Sequence, residues 1–187
     1  MKCKSLVLIL AAALISGCAA VVVAGAAAGM AGYDRRTVVT MEKDARIFHV
    51  IHKAIVSDPR FRDSRIEVSS FNRVVLLTGQ TPAASLRVLA EKIAQSTPNV
   101  YRVYNEITVG YPLALSLRPR DGWVTGQVRS RLLATKGLES GSIRIVTENG
   151  VVYLMGIVTP EQSSLAVETA RQTRGVRKVV KVFQYIR

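Results

Sequence analysis

Leu76-Leu77-Thr78-Gly79-Gln80-Thr81-Pro82 returns later in the chain as Tyr153-Leu154-Met155-Gly156-Ile157-Val158-Thr159-Pro160, with the two glycines 77 positions apart. The order of elements around each glycine returns with it, so the fold is built from two copies of one small unit. In the first copy, Asp44, Ile47, Ile51 and Ile55 fall three and four apart within Met41 to Val56, which predicts a helix with one inward face. Asp58-Pro59 stops it. Ile66 to Ser69 alternates, Phe71-Asn72-Arg73 can turn, and Val74 to Thr78 is β-branched or apolar, which predicts a hairpin. A second helix over Ala83 to Ser96 turns Leu86, Leu89, Ile93 and Ala90 or Ala94 inward, and Pro98-Asn99 breaks it before a third strand, Val100 to Val109.

The second copy reads as a helix from Trp123 to Thr135, strands over Ser142 to Thr147 and Val151 to Met155, and a helix over Glu161 to Thr173. Gly175 stops that helix, and a strand runs from Val176 to Ile186. Asn149-Gly150 between two β-rich runs is the strongest hairpin signal in the chain. A right-handed crossover through the second helix of each copy sets its third strand parallel to its second. The expected class is therefore α/β (α+β): two tandem α-β-β-α-β domains, each a three-stranded mixed sheet covered by two helices. The domains fall at 37–110 and 121–187, joined by a linker over 111–120 that carries Pro112 and Pro119.

Ahead of the repeat, Lys2 and Lys4 precede an unbroken apolar run from Leu6 to Ile15, too short to cross a bilayer as a helix. With Ile15-Ser16-Gly17-Cys18 after it, the segment resembles the signal peptide and lipobox of bacterial lipoproteins. That resemblance implies cleavage after residue 17 and acylation of Cys18, with palmitate among the chains. Two alternatives are an ordinary signal peptide with an accidental cysteine, and an uncleaved span from Leu6 to about Ala31. Ala19, where aspartate marks inner-membrane retention in enterobacterial lipoproteins, implies the periplasmic side of the outer membrane. Residues 18–36 then form a tether rich in Ala, Val and Gly.

The chain carries 26 Lys and Arg against 13 Asp and Glu; cleavage leaves a net charge of +11, so the basic character belongs to the mature protein. Such a charge points to an anionic partner, nucleic acid or membrane. The only cysteines are Cys3 and Cys18, which excludes a disulfide framework or a Cys-rich zinc site in the domains. His49 and His52 sit three apart on the first helix without a third ligand marked by spacing, and a surface or half-buried role is preferred to a metal site. No histidine follows position 52, no Gly-rich phosphate loop opens a helix, and the carboxylates are scattered singly among bases. Enzymatic activity, a metal and a cofactor are not expected.

The second domain is the more cationic, with net +5 over 121–187 against +3 over 37–110. On its first helix Val124, Val128 and Leu132 form the inward stripe matching Ile47 and Ile51, while Trp123, Gln127, Ser130, Arg131 and Ala134 fall on another face. The only tryptophan of the chain, beside arginine on a non-core face, suits a membrane interface, where Arg129 and Arg131 would meet phosphates and Lys136 adds charge. The competing reading has Trp123 starting the helix and packing on the linker, with the arginines as a solvated flank. A second basic cluster of Arg171, Arg174, Arg177, Lys178 and Lys181 lacks the interleaved aromatic platforms of a nucleic-acid site and reads as a solvated face.

The repeated unit, with Gly79 or Gly156 near a strand end, an alanine-bearing helix, and Asn99-Val100 or Gly175-Val176 before a β-rich strand, resembles the BON domain. Val103-Tyr104-Asn105-Glu106-Ile107 and Thr147-Glu148-Asn149-Gly150 with Leu154-Met155-Gly156 carry the resemblance most specifically. Two such units behind a lipobox are similar to dual-BON outer-membrane lipoproteins. The resemblance implies a non-enzymatic protein whose second BON domain contacts anionic phospholipid, such as phosphatidylglycerol or cardiolipin, through its first helix. It also implies support of envelope integrity and gathering at division sites. It assigns the contact to Trp123, Val124, Val128, Arg129, Ser130 and Leu133; Gln127 departs from the pattern, where a lysine would suit the role, and Arg131 one turn on compensates. The alternative function is a protein-binding adaptor for outer-membrane assembly or cell-wall machinery.

Overall fold

The computed structural model describes residues 34–112 and 119–186. The expected leader, Cys18 and the tether up to residue 33 lie outside the described residues, as do 113–118 of the linker. Residues 35–187 cluster as one unit. Its first half runs α1 (Val38–Val56), β1 (Arg65–Phe71), β2 (Val74–Thr81), α2 (Ala84–Gln95), β3 (Arg102–Asn105) and β4 (Thr108–Val109). The second half runs α3 (Pro119–Ala134), β5 (Ile143–Glu148), β6 (Val151–Val158), α4 (Pro160–Arg171) and β7 (Lys178–Tyr185).

The buried residues of α1 are Asp44, Ile47, Ile51 and Ile55, the four that the spacing selects. The helix starts three residues before the expected Met41 because Thr37 caps it: its hydroxyl accepts the Thr40 N–H at 3.2 Å. Likewise α4 opens on a capping box of Thr159 and Gln162. In each half the middle strand pairs antiparallel with the strand before it and parallel with the strand after its crossover helix. The mixed sheet thus has the expected topology.

Two differences from the expected boundaries have local causes. The sequence predicts a linker up to residue 120, but α3 begins at Pro119, a residue whose fixed φ suits the first turn of a helix. The third strand of the first half is interrupted at Glu106-Ile107. There the Asn105 carboxamide oxygen accepts the Ile107 N–H at 3.3 Å, and the Ile107 side chain is buried beneath α1 and α2.

Both hairpins close with two-residue turns in left-handed conformation, Asn72-Arg73 (φ 48° and 65°) and Asn149-Gly150 (φ 50° and 72°). A carboxylate from the preceding helix clamps each turn. Asp44 accepts the N–H groups of Asn72 and Arg73 at 2.7 Å each, the Ser70 hydroxyl at 2.9 Å and the Arg36 guanidinium at 2.9 Å. Asp121, 77 residues later, accepts those of Asn149 and Gly150 at 2.7 and 2.8 Å. The clamp fixes the angle at which α1 and α3 cross their hairpins. Near the other end of β2, Gly79 lets β1 approach closely: a Cβ there would lie 2.0 Å from the Arg65 carbonyl oxygen, and its φ is +113°.

Side chains of β2 alternate between two cores. Val75 and Leu77 join Ile47, Ile51, Ala90 and Ala94 under the helices, whereas Val74 and Leu76 face the other half of the molecule. In β6, Val152 and Leu154 pack under α3 and α4, while Tyr153 and Met155 meet Phe71, Val74 and Leu76. The open faces of the two sheets therefore cover each other, giving layers in the order helices, sheet, sheet, helices. Equivalent positions, Val74 with Val151 and Leu76 with Tyr153, supply both sides, so the contact is close to a two-fold one. Around it Arg65 pairs with Glu148 at 2.8 Å, Gln80 donates to Glu148 at 2.7 Å, Arg144 donates to the Ser70 carbonyl at 3.3 Å, and Asn72 bonds Gln184.

Candidate functional site

The second domain presents α3 on its outer layer. Val124, Val128 and Leu132 anchor the helix in the core at 1% exposure or less, and the Asp121 clamp fixes its first turn on the Asn149-Gly150 hairpin. What remains outward is the face for which the sequence predicts a membrane contact. Trp123 is 49% exposed and Leu133 64%, and Gln127, Arg129, Ser130 and Arg131 are exposed as well. Val124 and Val128, also assigned to phospholipid contact, are corrected: both are sealed in the core and cannot meet a headgroup. Their part is to hold the helix at the angle that turns Trp123 outward.

The indole is neither sealed nor loose. Its six-membered ring rests over Gly175, where a Cβ would stand 3.4 Å from Cζ3 of Trp123 and 2.9 Å from a Val124 methyl. Gly175, at φ +90°, ends the α4 crossover, so the residue read as a helix stop is also the seat of the indole. Trp123 thus packs on the turn after α4; most of the linker on which the competing reading packs it lies outside the described residues. At 100° per residue, Arg131 lies about 80° to one side of Trp123 and Arg129 about 120° to the other. Arg131 reaches α4, where it donates to the Gln172 carbonyl at 3.0 Å and complements the negative helix end. Arg129 makes no ion pair with any described residue. Among the described residues no carboxylate pairs with either arginine.

The sequence separated Arg171, Arg174 and Arg177 from this face as a solvated cluster, but the fold brings part of that segment beside it. Arg174 adjoins Gly175, the seat of the indole, and the Arg177 stem lies over the Asn149-Gly150 turn that Asp121 clamps. The available signal was the glycine after α4, which spacing alone could not tie to a helix some fifty residues earlier. Elsewhere, His52 stacks on Phe48 with ring centroids 5.3 Å apart. Among the described residues no group of three or more His, Cys, Asp or Glu is placed to hold a metal.

Comparison with known proteins places these features in a family. The BON domain matches residues 43–111 and 120–187. Over 186 residues the chain is 33% identical to the outer membrane lipoprotein DolP of Haemophilus influenzae, covering 98% of this chain and 96% of that protein. A 21 kDa hemolysin of Actinobacillus pleuropneumoniae is 38% identical over 124 residues, covering 66% and 64% of the two chains. The osmotically-inducible protein Y of Escherichia coli is 27% identical over 139 residues, covering 73% and 69%.

Proposed function

The chain belongs to the BON-domain family, and from that premise we propose that it is an acyl-anchored lipoprotein of the outer membrane that reads anionic phospholipid with the outer face of α3. Its likeness to an outer membrane lipoprotein along nearly its whole length supports the location. The acyl chains at Cys18 hold the protein at the periplasmic face, so the headgroup contact works at high effective concentration and need not be strong by itself. Trp123 lies at the headgroup boundary with its body in apolar surroundings and its N–H toward water, and Leu133 adds apolar area. Arg129, in no ion pair with a described residue, supplies a charge, each basic residue near an anionic surface contributing about 1 kcal/mol. In this reading the protein supports outer-membrane integrity where such lipids concentrate, division sites among them.

The observation that carries the reading is Trp123, half-exposed on a rigid helix with an arginine on each flank and no carboxylate between them. Vesicle co-sedimentation of residues 33–187 tests it. Retention is expected on vesicles containing phosphatidylglycerol or cardiolipin and not on phosphatidylcholine, with a blue shift of the single tryptophan's emission. Trp123→Glu is expected to lower the affinity about tenfold or more, since it removes buried indole area and adds a repelled charge. Equal retention of Trp123→Glu and wild type would overturn the reading and favour an adaptor that docks on envelope proteins. Loss of palmitate labelling in Cys18→Ser tests the anchor separately.

A further inference from the structure

Where the two sheets meet, their edges leave an open cleft of about 620 Å³ that the lipid reading does not use. One wall comes from the first domain, with Lys43 of α1, the Arg73 turn and the pair Tyr101-Arg102 before and at the start of β3; the other is the end of β7, Phe183 to Tyr185. It is distinct from the face of α3. β7 begins at Lys178 beside the Asn149-Gly150 hairpin and ends at Tyr185, about 23 Å further on at 3.3 Å per residue.

Among the described residues three cations line this cleft and no carboxylate does. Arg73 spends only Nε, on the Asn99 carbonyl at 2.8 Å, and Lys43 makes no ion pair with a described residue. Arg102 lies 5.8 Å from the Tyr104 ring centre and donates one N–H to the Tyr104 hydroxyl at 3.3 Å, leaving its other N–H groups for a ligand. The Asp44 carboxylate behind the turn is buried and already holds four donors, Arg36 among them. Like charges gathered without an acid repel one another until an anion arrives. Beside them Tyr101 is 71% exposed, a phenol with an apolar ring and a polar tip, while the Tyr185 phenol turns to the helix side of β7, edge-on to Phe183 and 3.2 Å from the Ser163 hydroxyl. Gln184, held by its bonds with Asn72, and the Thr40 hydroxyl add neutral hydrogen-bonding groups. Cations for an acidic group, an aromatic face for a ring and amides for hydroxyls together fit one chemistry.

We propose that this cleft between the domains binds an anionic sugar, a pyranose carrying a phosphate or a carboxylate. The acidic group sits among Lys43, Arg73 and Arg102, and the ring lies against Tyr101. The site depends on the sheet-to-sheet contact, since neither domain alone supplies both walls.

Isothermal titration of the detergent-solubilised full chain tests it with glucosamine 6-phosphate and glucuronate, which separate the two kinds of anion, and with glucosamine, inorganic phosphate and AMP for comparison. Saturable binding of at least one anionic sugar is expected, about tenfold or more tighter than glucosamine or phosphate alone. The double variant Lys43→Gln, Arg102→Gln is expected to lose about tenfold and Tyr101→Ala several-fold, both with unchanged urea midpoints because these side chains are exposed. Trp123→Glu is expected to bind the sugar like wild type, which separates this site from the lipid face. No saturable binding of either sugar, a preference for AMP, or indifference to the double variant would overturn the proposal. So would loss of sugar binding in Trp123→Glu.

Discussion

Asp44 shows how much one side chain can organise. Its carboxylate is 4% exposed and holds two backbone N–H groups of a turn whose second residue, Arg73, would otherwise sit uncomfortably at φ 65°. Removing it takes the acceptor from those two N–H groups in a half-buried site and takes one partner from the Arg36 guanidinium. Asp44→Ala is expected to cost about 3 kcal/mol in urea unfolding, within the range for breaking a buried hydrogen-bonded charge. Asp121→Ala, at the more exposed twin of the clamp, is expected to cost about half as much. The spacing with Ile47 and Ile51 makes Asp44 readable as an inward residue. The donors it accepts from are not readable, because a turn 28 residues downstream supplies them.

Among elements, α3 separates what anchors from what is displayed. Gly126 lies on its outer side, where a Cβ would meet nothing within 4 Å. Gly126→Ala is therefore expected to raise stability by about 0.5–1 kcal/mol, read as a higher urea midpoint, with vesicle binding retained. Gly175→Ala is expected to do the reverse: its positive φ and the Val124 methyl 2.9 Å away leave no room, and the seat of the indole is lost. Helix identity and the inward stripe follow from periodicity, and the hairpins follow from Asn-Arg and Asn-Gly at the turns. Assigning Val124 and Val128 to a lipid contact by likeness, although their own spacing turned them inward, shows that burial read from the residues was the better guide. The interruption at Glu106-Ile107 was illegible because it depends on where the Asn105 side chain finds partners in α2.

At the scale of the whole described unit, the packing of sheet on sheet had one sequence trace. Val74 to Leu77 and Val151 to Met155 are apolar at consecutive positions, as strands buried on both faces are, where a half-exposed strand would alternate. Which surface fills the second face is a long-range question that no local pattern answers. The contact also titrates. Burial first, and then the charges of Glu106 and Glu148, push the Tyr153 phenol up to about 12. The folded state holds this proton more tightly than the unfolded chain, whose tyrosines titrate near 10, so stability is complete below about pH 10 and falls as pH rises toward about 12. Tyr153→Phe is expected to remove on the order of 2 kcal/mol of that alkaline loss, seen as a flatter dependence of the urea midpoint on pH between about 9 and 12. Because the helices are the outermost layers, α1 and α3 look in opposite directions. Whatever surface α3 settles upon, α1 and α2 are turned to the far side, so a docked molecule still shows its surroundings a second, chemically unlike front, and occupancy of one need not compete with the other.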